Sequence, residues 1–179
     1  MSCKPEINSL IIAFTKEGMG VRSIARILAI SATTLLKRYI TIAGNIRRPI
    51  LLLRQQYEVD ELNFYYGNKN KRIWLVCALD QKTRQIVSFN IGKRTNKTLI
   101  YVIKTLKNSK AQKIYTDRLH NYKSLIPKEI HSTKRYGTNY IERENLNIRT
   151  FLKRFSRKTI CFSRSILVTE SILKIYFWS

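Results

Sequence analysis

Acidic residues are scarce in this chain. Of 179 residues only 11 are Asp or Glu, against 34 Lys or Arg, which gives a formal charge of +23. An excess of that size calls for a polyanionic partner. Cysteines are also few: Cys3, Cys77 and Cys161 lie far apart with no C-x-x-C spacing, which argues against a zinc site and against a disulfide framework. Reduced thiols and a cytoplasmic location are therefore expected. Long apolar runs are missing, the longest being Ile73 to Leu79, far short of the ~18 residues of a membrane span. The opening Met-Ser-Cys-Lys-Pro-Glu lacks the charged and apolar regions of a signal peptide. Basic residues are not gathered on one amphipathic helix, so nucleic acid rather than a membrane surface is the expected partner. What is present is enough to fold: 44% of the residues are hydrophobic, and they alternate with the basic ones instead of leaving a disordered basic tail.

Up to about residue 45 the apolar spacing is helical, with Leu10, Ile11 and Phe14, then Val21, Ile24, Ala25 and Leu28, then Leu35, Leu36 and Tyr39. Gly18 and Gly20 separate the first helix from the second, and Ser31 is placed to cap a third. The stretch from Val21 to Tyr39 reads as a helix-turn-helix. Small Ala25 permits a close crossing, and Arg22, Arg26, Thr33, Thr34, Lys37 and Arg38 sit on or beside the face that would enter a DNA groove. A plain three-helix bundle with a solvated basic face is the competing reading.

Residues 46–56 carry Arg47, Arg48 and Pro49 where the helical pattern stops, and they read as a linker. Beyond them the period changes to that of strands: Tyr57 to Tyr66, Ile73 to Leu79 and Ile86 to Ile91, with short turn-rich joins. A helix follows from Thr95, with Leu99, Val102, Ile103 and Leu106 on one stripe, then a fourth strand ending at Asp117 and a short helix around Tyr122. A strand near Ile130 precedes a long helix from about Tyr140 to Arg154. The division expected is a helix-turn-helix module over 1–45, a linker over 46–56 and an α/β domain of βββαβα order over 57–179.

Scarcity makes each acid informative. The chain has three aspartates, Asp60, Asp80 and Asp117. Asp80 opens a turn-forming Asp-Gln-Lys-Thr and is assigned that role. A strand-end aspartate is most often a turn former too, so Asp117 alone would say little. Asp60 lies inside a strand, where Asp is disfavoured and a half-buried carboxylate needs a partner or a metal. Strand alternation puts Glu58 on its face, whereas Glu61 points away, solvated or paired with a basic neighbour. Glu142 falls in the first turn of the long helix, with Asn145 and Arg149 on the same polar stripe at 100° per residue. Ile141, Ile148, Leu152 and Phe155 form the apolar stripe. Asp60, Asp117 and Glu142 are thus candidate ligands for two divalent ions, Mg²⁺ or Mn²⁺, in phosphoryl transfer, since hard cations take oxygen ligands and an ion pair stabilises both the attacking and the leaving oxygen. Arg149 would grip a phosphate, and Lys153, Arg154, Arg157 and Lys158 extend the same helix as a basic cluster for the DNA backbone. Trp74 and Tyr115, in apolar strand runs, read as core rather than as base-stacking platforms.

These residues, in this order, resemble the DDE transposases of the bacterial insertion-sequence-one family, in which an InsA-type helix-turn-helix half is joined to an InsB-type catalytic half. The resemblance rests on Glu58-Val-Asp-Glu-Leu62, Trp74 to Asp80 with Lys82-Thr83, Gly92-Lys-Arg-Thr95, Tyr115-Thr-Asp117, Lys134-Arg-Tyr136, Ile141-Glu-Arg143 with Asn145-Leu-Asn-Ile-Arg149, and Arg157 to Ser163. It implies a ribonuclease H-like mixed sheet, a metal triad of Asp60, Asp117 and Glu142, and Arg149 as the basic residue seven positions after the glutamate. It also implies a DNA transposase that binds terminal inverted repeats, cuts and joins strands, and works as a homo-oligomer on double-stranded DNA in a bacterial nucleoid. Three positions depart from the family pattern: Arg118-Leu119 follows Asp117 where Gly-Trp is usual, Glu144 stands where His is usual, and no cysteine-rich zinc segment precedes the helix-turn-helix. A shortened or decaying copy is therefore expected. The rival readings are a catalytically impaired remnant acting as a DNA-binding repressor, and a ribonuclease or resolvase.

Overall fold

The computed structural model describes residues 5–179, so the reading of Cys3 lies outside the described residues. The chain divides into two compact units. One comprises Arg48–Leu146, and the other the described part of Met1–Arg47 together with Asn147–Ser179.

The first unit is built on a five-stranded mixed sheet of order β3-β2-β1-β4-β5. Its strands are β1 (Gln56–Tyr66), β2 (Asn68–Asp80), β3 (Ile86–Gly92), β4 (Lys113–Thr116) and β5 (His131–Ser132). The first three form an antiparallel meander, as the turn-rich joins predict, and β4 returns parallel to β1 after helix α4 (Asn96–Asn108). Helix α5 (His120–Leu125) leads to β5, which pairs parallel with β4. On one face of the sheet, Tyr57, Val59, Val76, Ala78 and Val87 pack against Leu99, Val102, Ile103 and Leu106 of α4 and Tyr122 of α5. Burying each of the α4 side chains contributes about 1.5–3 kcal/mol. Strand β1 is central and covered on both sides, so its three acids, Glu58, Asp60 and Glu61, all lie within or at the edge of the core.

The segment read as a linker is tied down in this unit beyond residue 48. The amide of Arg54 donates to Ser109 O at 3.2 Å and the Tyr57 hydroxyl to Leu52 O at 3.2 Å, while Leu51 packs on the core. Arg48 Nη2 donates to the Tyr101 hydroxyl at 2.8 Å.

The second unit contains α1 (Pro5–Lys16), α2 (Val21–Ile27) and α3 (Ala32–Asn45). Ser31 caps α3 as read, accepting the amide of Thr34 at 3.0 Å. Helices α2 and α3 meet at 104° across a break of four residues. No single helix among the described residues is long and apolar enough to cross a membrane. Helix α6 (Asn139–Phe151) begins in the sheet unit and ends in this one. It stops three residues before the expected end. Leu152 is extended (φ −98°, ψ 92°) and Lys153–Phe155 form a 3-10 turn, so Lys153, Arg154, Arg157 and Lys158 do not prolong the helix. The expected apolar stripe still holds: Ile141, Ile148, Leu152 and Phe155 are all buried.

A final helix, α7 (Ile166–Trp178), packs against α3 and α1 and was not foreseen from the sequence. Its residues are apolar nearly all round and rich in β-branched and aromatic types, so they show no amphipathic stripe. The usable signal was Ser165, whose hydroxyl accepts the amide of Val168 at 3.3 Å. The buried hydroxyls of Thr169 and Ser171 donate to carbonyls four residues back, both at 2.8 Å.

Two glycines of this unit make opposite demands. Gly18 has φ +75°, and a Cβ there would come 2.4 Å from Phe151 O, while a Cβ on Gly44, within α3, would meet nothing within 4 Å. Gly18→Ala is expected to lower Tm clearly in a thermal melt. Gly44→Ala should raise stability by roughly 0.5–1 kcal/mol, by removing backbone freedom from the unfolded chain.

Candidate active site at the β1–β4 edge

The register of the parallel pair decides where the acids meet. Glu58 lies opposite Tyr115 and Val59 opposite Thr116. One step further, where β4 ends, Asp60 and Asp117 therefore come side by side, although 57 residues separate them in sequence. Their proximity has an electrostatic signature: burial above all, then the charges of Glu61 and Asp117, push the Asp60 carboxyl up to about 7 against the pull of hydrogen bonds from the Glu61 backbone and from Asn145. Asn145 Nδ2 donates to Asp60 Oδ2 at 2.8 Å, which brings α6 onto the face of β1 that carries Asp60.

Asp117 is exposed and has a second task. Its Oδ1 accepts the amide of Leu119 at 2.9 Å, shaping the turn into α5. The turn role common to strand-end aspartates is thus present together with the pairing to Asp60. Leu119 packs on the core and Arg118 is exposed. Asp80 also takes its expected turn role, accepting the amides of Lys82 and Thr83 at 2.8 and 3.2 Å.

Glu142 is exposed in the first turn of α6, where Thr138 Oγ1 donates to its Oε1 at 2.7 Å. Among the described residues no three His, Cys, Asp or Glu side chains stand close enough together to hold an ion. The structure ties Asn145 to Asp60 and sets the Asp117 charge near Asp60, while Glu142 is exposed and bonded to Thr138. The donor set still suits a hard cation, being all oxygen. The Asn145 Oδ1, buried and without a hydrogen-bond partner, is a further unused oxygen beside Asp60. Asp60 and Asp117 could each supply an oxygen to such an ion, and Glu142 lies one turn before Asn145 on α6.

Two neighbours of Asp60 carry structure that sequence reading underestimated. Glu61, expected to be solvated or paired, is buried and paired: Arg94 donates to its Oε2 through Nε at 3.1 Å and Nη2 at 2.8 Å, and the Tyr122 hydroxyl donates to its Oε1. Burial and the Glu61 charge push the Tyr122 phenol well up, so it stays a donor. Arg94 also lies over the Trp74 ring at 4.4 Å. Trp74 and Tyr115, read as core, are half-buried. Glu58 is fully buried and reaches the start of α6. The available signal was its position two residues before Asp60 on the same face. Glu144 is half-buried near Cys77, the cross-strand partner of Asp60.

The remaining candidates lie in the helical unit. Arg22, Arg26, Thr33, Thr34 and Lys37 are exposed, while Arg38 is half-buried and donates from Nη1 to Asn8 at 3.0 Å. The Thr34 hydroxyl is 2.8 Å from that of Ser31. Arg149 Nη1 donates to Phe155 O at 2.9 Å, closing the end of α6. Lys153, Arg157 and Lys158 are exposed. Arg154 lines a cavity of about 620 Å³ with Tyr39, Leu152 and Ile172, and burial pushes its guanidinium pKa down.

Residues 55–178, from the start of β1 through α7, match a family model described as IS1 transposase. The insertion element iso-IS1n protein InsB of Shigella dysenteriae is 35% identical over 116 residues, covering 65% of this chain and 88% of that protein. The insertion element IS1 protein InsB of Shigella flexneri is 33% identical over 119 residues, covering 66% and 91%. Among solved structures, the simian T-cell lymphotropic virus intasome in complex with PP2A regulatory subunit B56 gamma aligns with a TM-score of 0.46 and 16% identity, over 91% of this chain and 66% of that one. The HTLV-2 integrase catalytic core domain in complex with magnesium aligns with a TM-score of 0.43 and 16% identity, over 72% and 86%.

The raised Asp60 carboxyl fixes the sign of a pH effect. With a folded value of about 7 against an ordinary 3.8, the folded state holds a proton that the unfolded chain releases between these values. Its contribution to stability is full below the lower value and is lost as pH rises through about 7. Asp60→Asn, which keeps the shape without the charge, is expected to leave Tm unchanged near pH 4. Near pH 8 it should gain on the order of a few kcal/mol, read as a rise in Tm.

Proposed function

Because the chain belongs to the IS1 transposase family, we propose that it is the transposase of an insertion element, a ribonuclease H-like DDE enzyme that cleaves DNA at the element's inverted-repeat ends and joins it to target DNA. The observation that carries this reading is the meeting of Asp60 and Asp117 at the β1–β4 edge, with Asn145 of α6 on Asp60. Two Mg²⁺ or Mn²⁺ ions bound by Asp60, Asp117 and Glu142 would stabilise the attacking and leaving oxygens of in-line displacement at phosphorus. Asp60 must give up its proton to act as a ligand, and Asn145 orients its second oxygen. Glu142, on a helix that also carries Arg149, reaches the site by leaving its Thr138 hydrogen bond. Water attacks first, and the freed 3′-hydroxyl then attacks the target strand.

The charge of +23 would hold the polyanion, with Arg22, Arg26, Thr33, Thr34, Lys37 and Arg38 reading the repeats and Lys153, Arg154, Arg157 and Lys158 contacting backbone. The 104° meeting of α2 and α3 falls within the 90–120° of helix-turn-helix units, which supports the DNA-reading assignment. The working form would be a homo-oligomer that brings two ends together on double-stranded DNA in the bacterial nucleoid. A repressor that binds the ends without cutting is the second reading, favoured by the Glu142 carboxylate being turned to Thr138.

A supercoiled plasmid bearing the repeats, with Mg²⁺ or Mn²⁺, separates the two. The transposase nicks and joins it, whereas a repressor binds it and leaves it intact. Asp60→Ala, Asp117→Ala and Glu142→Ala are each expected to remove cleavage while DNA affinity in a gel-shift titration stays near the wild type; cleavage retained in any one removes that residue from the site. Changing Thr34 and Lys37 to Ala is expected to erase the preference for the repeats over unrelated duplex.

A further inference from the structure

We propose that Glu58 is a positioning residue, a cap supplied by the central strand that fixes the helix bearing Glu142 and Asn145 against Asp60. The inference rests on the reading of Asp60, Asp117 and Glu142 as an ion site. A helix leaves its first amides without partners inside the helix, and they are usually met by a neighbouring Ser, Thr, Asp or Asn. In α6 the Thr138 hydroxyl is turned to Glu142 instead. The amides of Tyr140 and Ile141 both donate to Glu58 Oε2 at 2.9 Å, from 82 and 83 residues away in the sequence. Gln81 Nε2 donates to the other oxygen, Oε1, at 2.7 Å. Glu58 is fully buried, so three donors and the positive end of a helix satisfy a carboxylate that water does not reach.

The geometry explains why this cap does more than close a helix. Glu58 and Asp60 share a face of β1 and stand about 6.6–6.8 Å apart, two strand steps. Their partners on α6, Ile141 and Asn145, are four residues and roughly 6.0 Å apart along the helix axis. The two repeats nearly coincide, so α6 lies along β1 with one hydrogen-bonded tie per turn: Ile141 N to Glu58, then Asn145 Nδ2 to Asp60. A local Ser or Thr cap would satisfy the same amides without fixing the helix's height along the strand or its rotation. The start of α6 is braced as well by Gly137, where a Cβ would come 2.7 Å from the Tyr115 ring, and by Arg84, whose guanidinium lies over the Tyr140 ring. Glu142 follows Ile141 directly, so its place relative to Asp60 is set through Glu58.

The test uses the full chain without DNA, with Mn²⁺ as the probe, followed by electron paramagnetic resonance titration and by amide exchange at Tyr140 and Ile141. Glu58→Ala is expected to accelerate exchange at both amides and to weaken Mn²⁺ binding roughly ten- to hundredfold, the usual effect of removing a residue that orients a ligand. Glu58→Gln, which keeps an acceptor oxygen, should restore part of both, and decides the matter alone if Glu58→Ala does not fold. Ile103→Val, on the opposite face of the sheet, should leave both at wild-type values. Faster exchange with unchanged Mn²⁺ affinity in both Glu58 variants would overturn the positioning role and leave the site standing. Equal Mn²⁺ affinity in the wild type and Asp60→Ala would overturn the site and the role with it.

Discussion

A carboxylate taken out of water must find donors or give up its charge, and the central strand of this sheet encloses three within four residues. The fold is arranged around the three solutions. Glu58 takes the amides of a helix start and a glutamine, Glu61 takes an arginine fork and a phenol, and Asp60 takes one amide from Asn145 and has its carboxyl pushed up to about 7. The first two keep their donors in the core, while the third, with hydrogen bonds from Asn145 and the Glu61 backbone, is pushed toward its protonated form by burial and neighbouring charge. Asp60 is thus a half-buried acid between two that are more deeply enclosed.

The two satisfied acids also explain how separate elements are brought to Asp60. On one face of β1, Glu58 holds the start of α6, the helix of Glu142 and Asn145. On the other, Glu61 holds Tyr122 of α5, the helix that Asp117 introduces, and Arg94 from the loop after β3. In Glu58-Val-Asp-Glu61, the two glutamates thus fasten to β1 the elements that carry Glu142, Asn145 and Tyr122. Leu119 uses its backbone amide for Asp117 and its side chain for the core, and Glu144 lies near Cys77.

Much of the sheet unit was legible, because strands and amphipathic helices announce themselves by period. The meander, the α4 stripe, the Ser31 cap and the pairing of Asp117 with the end of β4 all follow from spacing and turn chemistry. Helix α7 was not legible, since a helix apolar on every side has no period to read. The end of α6 was overrun because Leu152 and Phe155 continue its apolar stripe after the backbone has left the helix. Of the two alternatives for Glu61, solvated or paired with a basic neighbour, the Arg94 pair is the one found, together with burial that alternation does not reveal.

By itself the sequence determined the charge, the order of elements through α6, the scarcity of acids and the candidacy of Asp60, Asp117 and Glu142, because composition and local periodicity are properties of the chain alone. Tertiary structure decided that Asp117 comes near Asp60, that Glu142 is exposed and bonded to Thr138, that Arg149 turns to Phe155, and that residues 147–179 group with the N-terminal helices. Those outcomes depend on strand register and on hydrogen bonds spanning up to 83 residues. No local pattern encodes them, since each partner meets an ordinary local rule whether or not the other is there.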